Sequence, residues 1–435
     1  MEAPRGPARL RLAGRTVGAA ATALLLAAAP ARAQMHDHAM AHAHHAHASV
    51  AGMYGPYPLS REASGTAWQP DASLHEGLHL ARGPWTLLLH GYADLAWDDQ
   101  GGSRGDRRLL SDNMAMALAM RRLGAGSLGL RAMLSAEPAT VGKRGYPLLL
   151  QTGETADGAT PLIDRQHPHD LFMELAGAYT VARGSRSAFL YAGLPGEPAL
   201  GPPAFMHRFS GSELPESPIG HHWLDSSHIT YGVLTLGCVA GGLKLEGSRF
   251  RGREPDQDRW NIEEPKLDSH SFRATWNPAP AWSLQASHGR LASPEQLEPD
   301  IDTDRTTVSA MGAGSGNGRR WQAMLAWGRN RNRPGATLDA WLLESAVTLA
   351  ERHTLAARIE RVRKDELFAP PDPRAGEVFT VGKLSVSYRC DFHRTAHLAI
   401  GAGALGSVAL VPEALRGAYG PRPLGAIVFV RARVR

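Results

Sequence analysis

Residues 383–389 read KLSVSYR, an order that suits an extended chain and no helix. Leu384, Val386 and Tyr388 fall on one side of such a chain, and Lys383, Ser385, Ser387 and Arg389 on the other. Successive strand side chains point to opposite faces, so period-two polarity predicts a strand with one apolar and one polar face. GLKLEGS repeats the pattern, with Leu243 and Leu245 against Lys244 and Glu246. LAARIE sets Leu355, Ala357 and Ile359 against Arg358 and Glu360, and SFRATW sets Phe272, Ala274 and Trp276 against Arg273 and Thr275. Sixteen segments qualify: 85–97, 113–122, 127–136, 171–183, 186–193, 228–237, 242–251, 268–277, 281–290, 304–314, 319–329, 338–350, 353–363, 378–388, 395–405 and 424–434. The expected class is all-β.

Alternation fits a two-domain secreted β-protein as well as a membrane barrel, and the connections separate the two. Links after even-numbered segments are short: LGAG, RGS, CVAG, PAP, GSGN, ER and RCDFHR. Links after odd-numbered segments are mostly longer, and two exceed thirty residues. Short turns at one end, long loops at the other and an even strand count predict a single transmembrane antiparallel β-barrel. Its long loops would be external and both its termini periplasmic. Strands of about ten residues suit a tilted bilayer crossing. Trp85, Trp276, Trp282 and Trp321 stand beside the first strand's start or the short turns, where an aromatic girdle belongs. In the sixth segment, Tyr231 and Val233 compete with Leu234 and Leu236 for the lipid face.

The chain opens on Arg5, Arg9, Arg11 and Arg15, then VGAAATALLLAAA, with small residues at Ala31 and Ala33. That order is a secretory signal over residues 1–33, cleaved before Gln34. Its apolar run is too short for a membrane helix of about 20 residues. Five arginines and Glu2 give the signal +4 of the formal +5, leaving +1 for the rest, so nucleic acid is not an expected partner. Only Cys238 and Cys390 are present, so no disulfide framework organises the fold. They are expected in the turns after the sixth and fourteenth strands, too far apart to bond. Residues 34–84 carry no clear period and read as a periplasmic arm or a segment tucked into the lumen, ahead of a barrel over 85–435.

Three tracts carry chemistry. QMHDHAMAHAHHAHA supplies His36, His38, His42, His44, His45 and His47, with Met35 and Met40. Dense histidine is a compositional signal for metal, and imidazole with thioether favours copper, with zinc or nickel as alternatives. Cleavage before Gln34 would also make His36 the third residue, and the amine, two backbone amides and the imidazole suit square-planar Cu(II) or Ni(II). The bland reading is a solvated tail. LIDRQHPHDL adds His167, His169 and Asp170, and the next long loop adds His207, His221, His222, Asp225 and His228. Both loops leave one rim, flanking strands 4 and 5, and should converge in or above the pore. There they would ligate a metal, filter cations, or only pin an ordered plug stiffened by Pro161, Pro168, Pro202, Pro203, Pro215 and Pro218.

Enzyme signals are weak. HPHD is one residue short of a hydrolase HxHxD motif, and Asp225, Ser226, Ser227 and His228 are too close in sequence to converge as a triad. Glu254, Asp256 and Asp258 in GREPDQDRW read as an external acidic loop, with Ca²⁺ as a minor option.

In layout, residues 85–435 resemble the sixteen-stranded porins, although the chain ends VFVRARVR where such barrels usually end on an aromatic residue. HPHD, FMHR and HHWLDSSHI, with GREPD and SHGRLASPEQLEP, resemble an outer-membrane family with a His/Met-rich N-terminus, associated with heavy-metal and especially copper handling. The resemblance implies an exported barrel of the outer membrane, in contact with lipid, monomeric or homotrimeric, that binds or passes transition-metal ions. The alternatives are a barrel enzyme acting on lipid or envelope material and a general diffusion porin whose histidine-rich loop is a structural plug.

Overall fold

The computed structural model describes residues 50–74 and 76–435; the segment expected to be an export signal and the tract from His36 to His47 lie outside these described residues. Sixteen strands close a ring: β1 (Trp85–Gln100), β2 (Asn113–Leu123), β3 (Gly126–Leu134), β4 (Phe172–Arg183), β5 (Arg186–Gly193), β6 (Val233–Ala240), β7 (Leu243–Phe250) and β8 (Ser269–Ala279), then β9 (Trp282–Leu291), β10 (Asp302–Gly316), β11 (Arg319–Arg333), β12 (Thr337–Leu349), β13 (His353–Lys364), β14 (Phe379–Arg394), β15 (Leu398–Leu410) and β16 (Leu424–Val434). Each pairs antiparallel with its sequence neighbours. Closure comes from β1, which pairs with β2 (Thr86 opposite Met120) and with β16 (Tyr92 opposite Arg433). A closed ring leaves no strand edge unpaired.

The wall is inside-out. Phe272 is 64% exposed and Trp276 52% on the outer face, while Arg273 and Thr275 between them are buried. Leu243, Leu245, Val386 and Tyr388 are exposed outside, and Lys244, Glu246, Lys383 and Arg389 are buried inside. In water this arrangement would forgo about 1.5–3 kcal/mol for each large apolar side chain left uncovered, so the outer belt suits a hydrocarbon solvent. Leu234 and Leu236 point outward, while Tyr231 and Val233 are buried, which settles the face of β6.

Two of the expected boundaries are corrected. β6 begins at Val233, so His228 does not open a strand. Residues Ser226–His228 form a single 3-10 turn instead, closed by His228 Nδ1 against the Asp225 carbonyl at 2.8 Å. β14 runs on to Arg394, so Cys390 lies in that strand opposite Ala402, and Cys238 lies within β6; neither is in a turn, and both are free.

Buried charges cost several kcal/mol each unless paired, and the lumen pairs them. Across the wall Arg431 meets Asp94 at 2.6 Å, and Lys244 and Arg273 share Glu246 at 3.2 and 3.0 Å. Further partners come from segments folded into the lumen, among them the loop after β3, where Lys364 donates to Gln151 and Thr152 at 3.3 and 3.1 Å, and two more. Residues 50–74 form one: Arg131 and Arg273 donate to the Gly65 carbonyl and Thr66 Oγ1, and Asn277 to the Gln69 carbonyl. Trp68 packs under Lys244 and Arg61. The described part of the arm thus lies against inward-facing residues of the wall. The second segment, residues 194–232, is a buried plug. Its Arg208 pairs with Glu344, Glu213 with Arg389, and Glu216 with Lys383 at 2.8 Å. Gly220 N–H donates to Glu360 at 2.9 Å.

Candidate functional site

The plug turns at Gly220 into one helical turn, His221–Leu224, so two histidines leave adjacent positions about 100° apart. Asp225 ends that turn and orients three groups. Its carboxylate lies 2.8 Å from His221 Nδ1 and 2.6 Å from Arg208 Nη1, and its carbonyl accepts from His228 Nδ1. From the other long loop, His169 is gripped twice by Glu137, through its backbone N–H and its Nδ1, both at 2.8 Å. His167 has Nδ1 3.2 Å from the Pro168 carbonyl and Nε2 3.2 Å from Glu154.

The five imidazoles form a row. Ring centroids are 5.8 Å apart for His167 and His222, 5.5 Å for His222 and His221, 5.2 Å for His221 and His228, and 5.4 Å for His228 and His169. Two imidazoles bound to one tetrahedral ion at about 2.0 Å have centroids roughly 5 Å apart, so neighbours in the row stand at coordination spacing. Acceptors at Nδ1 assign the proton there in His169, His221 and His228, which leaves Nε2 as a lone pair. In His169 and His228 that Nε2 is buried with no hydrogen-bond partner. Fixing one ring nitrogen so that the other is offered bare is how metal-binding histidines are oriented.

Electrostatics agree. Burial pushes His169, His221 and His228 down to about 4, against the opposing pull of Asp112 on His169 and Asp225 on His221, so all three are neutral at pH 7. His222 differs. Burial opposes its charge, but Glu254 and Glu295 outweigh burial and raise it to about 10. Among the described residues, ligand atoms already gathered within 4.8 Å occur in Asp112–Glu137–His169 and in His222–Glu254–Glu295. The row itself offers pairs rather than a finished sphere.

Of the residues expected at the site, His167, His169, His221, His222 and His228 come together, and the two long loops do converge. Asp170 does not join them: its carboxylate is taken by Arg259 at 3.1 Å and Tyr231 at 3.3 Å. Asp225 faces His221 and Arg208 as a support. His207 lies apart, its Nε2 3.2 Å from Met133 Sδ, beside a buried cluster of Met114, Met133, Met173, Met206, Phe205 and Ile229. Within the acidic loop after β7, Glu254 is not solvent-facing: it is buried against Ser226 and His222. Ser226 hydrogen-bonds Glu254, and Asp225 turns its carboxylate away from His228, so no serine–histidine–aspartate relay forms. Glu137 and Glu154 are marked by no local motif, and Arg208 stands in FMHR without a site role read from the sequence.

No protein-family model matches the chain, and no curated protein matches it. Solved structures do. The chain is similar to OmpF of Salmonella typhi, solved in complex with daunomycin, at 9% identity and a TM-score of 0.51, over 82% of this chain and 100% of that one. It is likewise similar to OprB of Pseudomonas putida, at 9% identity and a TM-score of 0.50, over 81% of this chain and 94% of that one. At such identity the likeness speaks for the fold, a porin-like closed barrel.

Proposed function

We propose that this chain is a porin-like outer-membrane barrel that takes transition-metal ions, copper foremost, on the row of buried imidazoles between its two long loops. The observation that carries the reading is the pairing pattern of the rings. His169, His221 and His228 are neutral and tied at Nδ1 by Glu137 and Asp225, while Nε2 of His169 and His228 is buried and unpartnered. An unsatisfied buried polar group costs about 1–3 kcal/mol, a cost that a bound ion would remove. Copper is favoured by the thioethers of Met114, Met133, Met173 and Met206, with His207 among them, since soft sulfur ligands select Cu(I). The exposed apolar belt supports the membrane setting.

A general diffusion pore is the weaker reading, because inward-facing Asp94, Lys244, Arg305, Arg358 and Lys383 are buried under the plug and the 50–74 arm rather than bathed in a channel. A solute that crosses must pass along the plug or displace it. The test uses protein without residues 34–48, loaded with copper and washed. Replacing His221 and His228 together by Ala should lower the bound copper by at least one ion per chain with the barrel still folded. Unchanged copper content would leave these histidines as structural pins and move any metal handling to the N-terminal tract.

A further inference from the structure

His222, between His167 and His221 in the row, faces a place of different chemistry. Its Nδ1 lies 3.2 Å from Glu254 Oε2 and 3.6 Å from Glu295 Oε1. Glu254 comes from the loop after β7 and Glu295 from the loop after β9, so three separate loops supply the cluster. Each carboxylate has one oxygen tied and the other turned to the imidazole. Glu254 Oε1 accepts from Ser226 Oγ at 2.6 Å, and that hydroxyl accepts from Arg305 at 3.0 Å. Glu295 Oε2 accepts from the Glu154 N–H at 3.4 Å.

The untied atoms are the informative ones. Glu254 Oε2 and both His222 ring nitrogens are buried without a hydrogen-bond partner; the 3.2 Å approach has ion-pair distance but not hydrogen-bond alignment. Ligand atoms each about 2.1 Å from one ion, at angles of 90–110°, lie roughly 3.0–3.4 Å apart, close to the two separations seen here. The loop backbone packs against the imidazole on one side. Gly153, at φ +105°, runs against it so closely that a Cβ there would come within 2.6 Å of the ring. Glu295 alone is partly open, its side chain 23% exposed, and gives the cluster its approach from the loop surface.

We infer that His222, Glu254 and Glu295 form a second cation site, for a divalent first-row ion that accepts oxygen ligands. It stands on its own geometry and does not need the copper row. Oxygen-rich ligand sets suit Mn²⁺, which binds most weakly of the series to nitrogen sites, whereas neutral imidazoles suit copper.

The probe is therefore Mn²⁺, titrated into the full mature protein at neutral pH and followed by loss of the free-ion EPR signal. One tightly held Mn²⁺ per chain is expected. Glu295→Gln, on a partly exposed loop where folding is not at stake, and Glu254→Gln should each weaken it by more than about tenfold. His221→Ala with His228→Ala should leave it in place, which separates this site from the copper row. No Mn²⁺ held by the parent protein, or full affinity in Glu295→Gln, would overturn the inference and leave the cluster as a charged hydrogen-bonded triad.

Discussion

The Asp225 carboxylate lies 2.8 Å from His221 Nδ1 and, on its other oxygen, 2.6 Å from Arg208 Nη1. One side chain thereby fixes the tautomer of a row histidine and anchors the turn that carries it to a charge held by the barrel wall through Glu344. Asp225→Asn should weaken copper binding by about 10–100-fold, the range for loss of a supporting partner, while leaving every imidazole in place. Equilibrium competition with a chromogenic chelator measures it. Affinity equal to the parent would show that the orientation of His221 does not matter.

Glu137→Gln is the matching test on the other loop, since Glu137 holds His169 at both its backbone N–H and its Nδ1. A loss of the same order is expected. Asp170→Asn, next to His169 in sequence but paired with Arg259, should not change copper affinity beyond experimental error. A reversal of these two outcomes would put the ligand set elsewhere.

Glu213 is the plug's latch. Burial alone would raise its carboxyl, but Arg389, Arg433 and Arg431 outweigh that and hold it down at about 2. An ordinary glutamate titrates near 4.3. The folded value is the lower one, so its stabilisation is fully present above about pH 4.3 and is lost as pH falls through about 2. Glu213→Gln should loosen the plug at neutral pH in the same sense, since breaking a buried pair costs about 3–5 kcal/mol. Protease cleavage between residues 204 and 220 of the folded barrel, and larger single-channel conductance in a planar bilayer, should both rise. A variant as closed and as resistant as the parent would contradict the latch.

The sixteen strands were legible because face and order are local properties. Phe272, Arg273, Ala274 and Thr275 alternate whatever surrounds them, and a barrel only adds which face meets lipid. The start of β6 was not legible, because Arg208, Glu344 and the Asp225 carbonyl, all outside the strand, draw residues 221–228 into short turns. The site was half visible. Histidines announce themselves by composition; Glu254 and Glu295 stand in the quoted GREPD and SHGRLASPEQLEP stretches, but like Glu137 they read as surface acids until ring closure brings three loops together. Asp170 misled for the converse reason: HPHD reads as a ligand run, and only the fold reveals that Arg259 claims the carboxylate. The arm at 50–74 has no period to read, and its burial follows from lumenal Arg131, Lys244 and Arg273 needing partners.

The outer belt gives an independent check on the membrane setting. Phe272→Arg places a charge on the outer wall, where mid-bilayer arginine costs about 2–4 kcal/mol in a barrel. Urea titration of folding into lipid vesicles should show that loss, and Phe272→Leu should show little. Equal stability of the two variants would mean that this face does not meet hydrocarbon.

The most direct measurement is the copper X-ray absorption spectrum of the copper-loaded barrel lacking residues 34–48. Stoichiometric copper with two or more imidazole nitrogens at about 2.0 Å is the expected result, and that imidazole signal should vanish when His221 and His228 are both replaced by Ala. A folded barrel that retains no copper, or holds it without imidazole scattering, would contradict the assignment of the histidine row as the metal site.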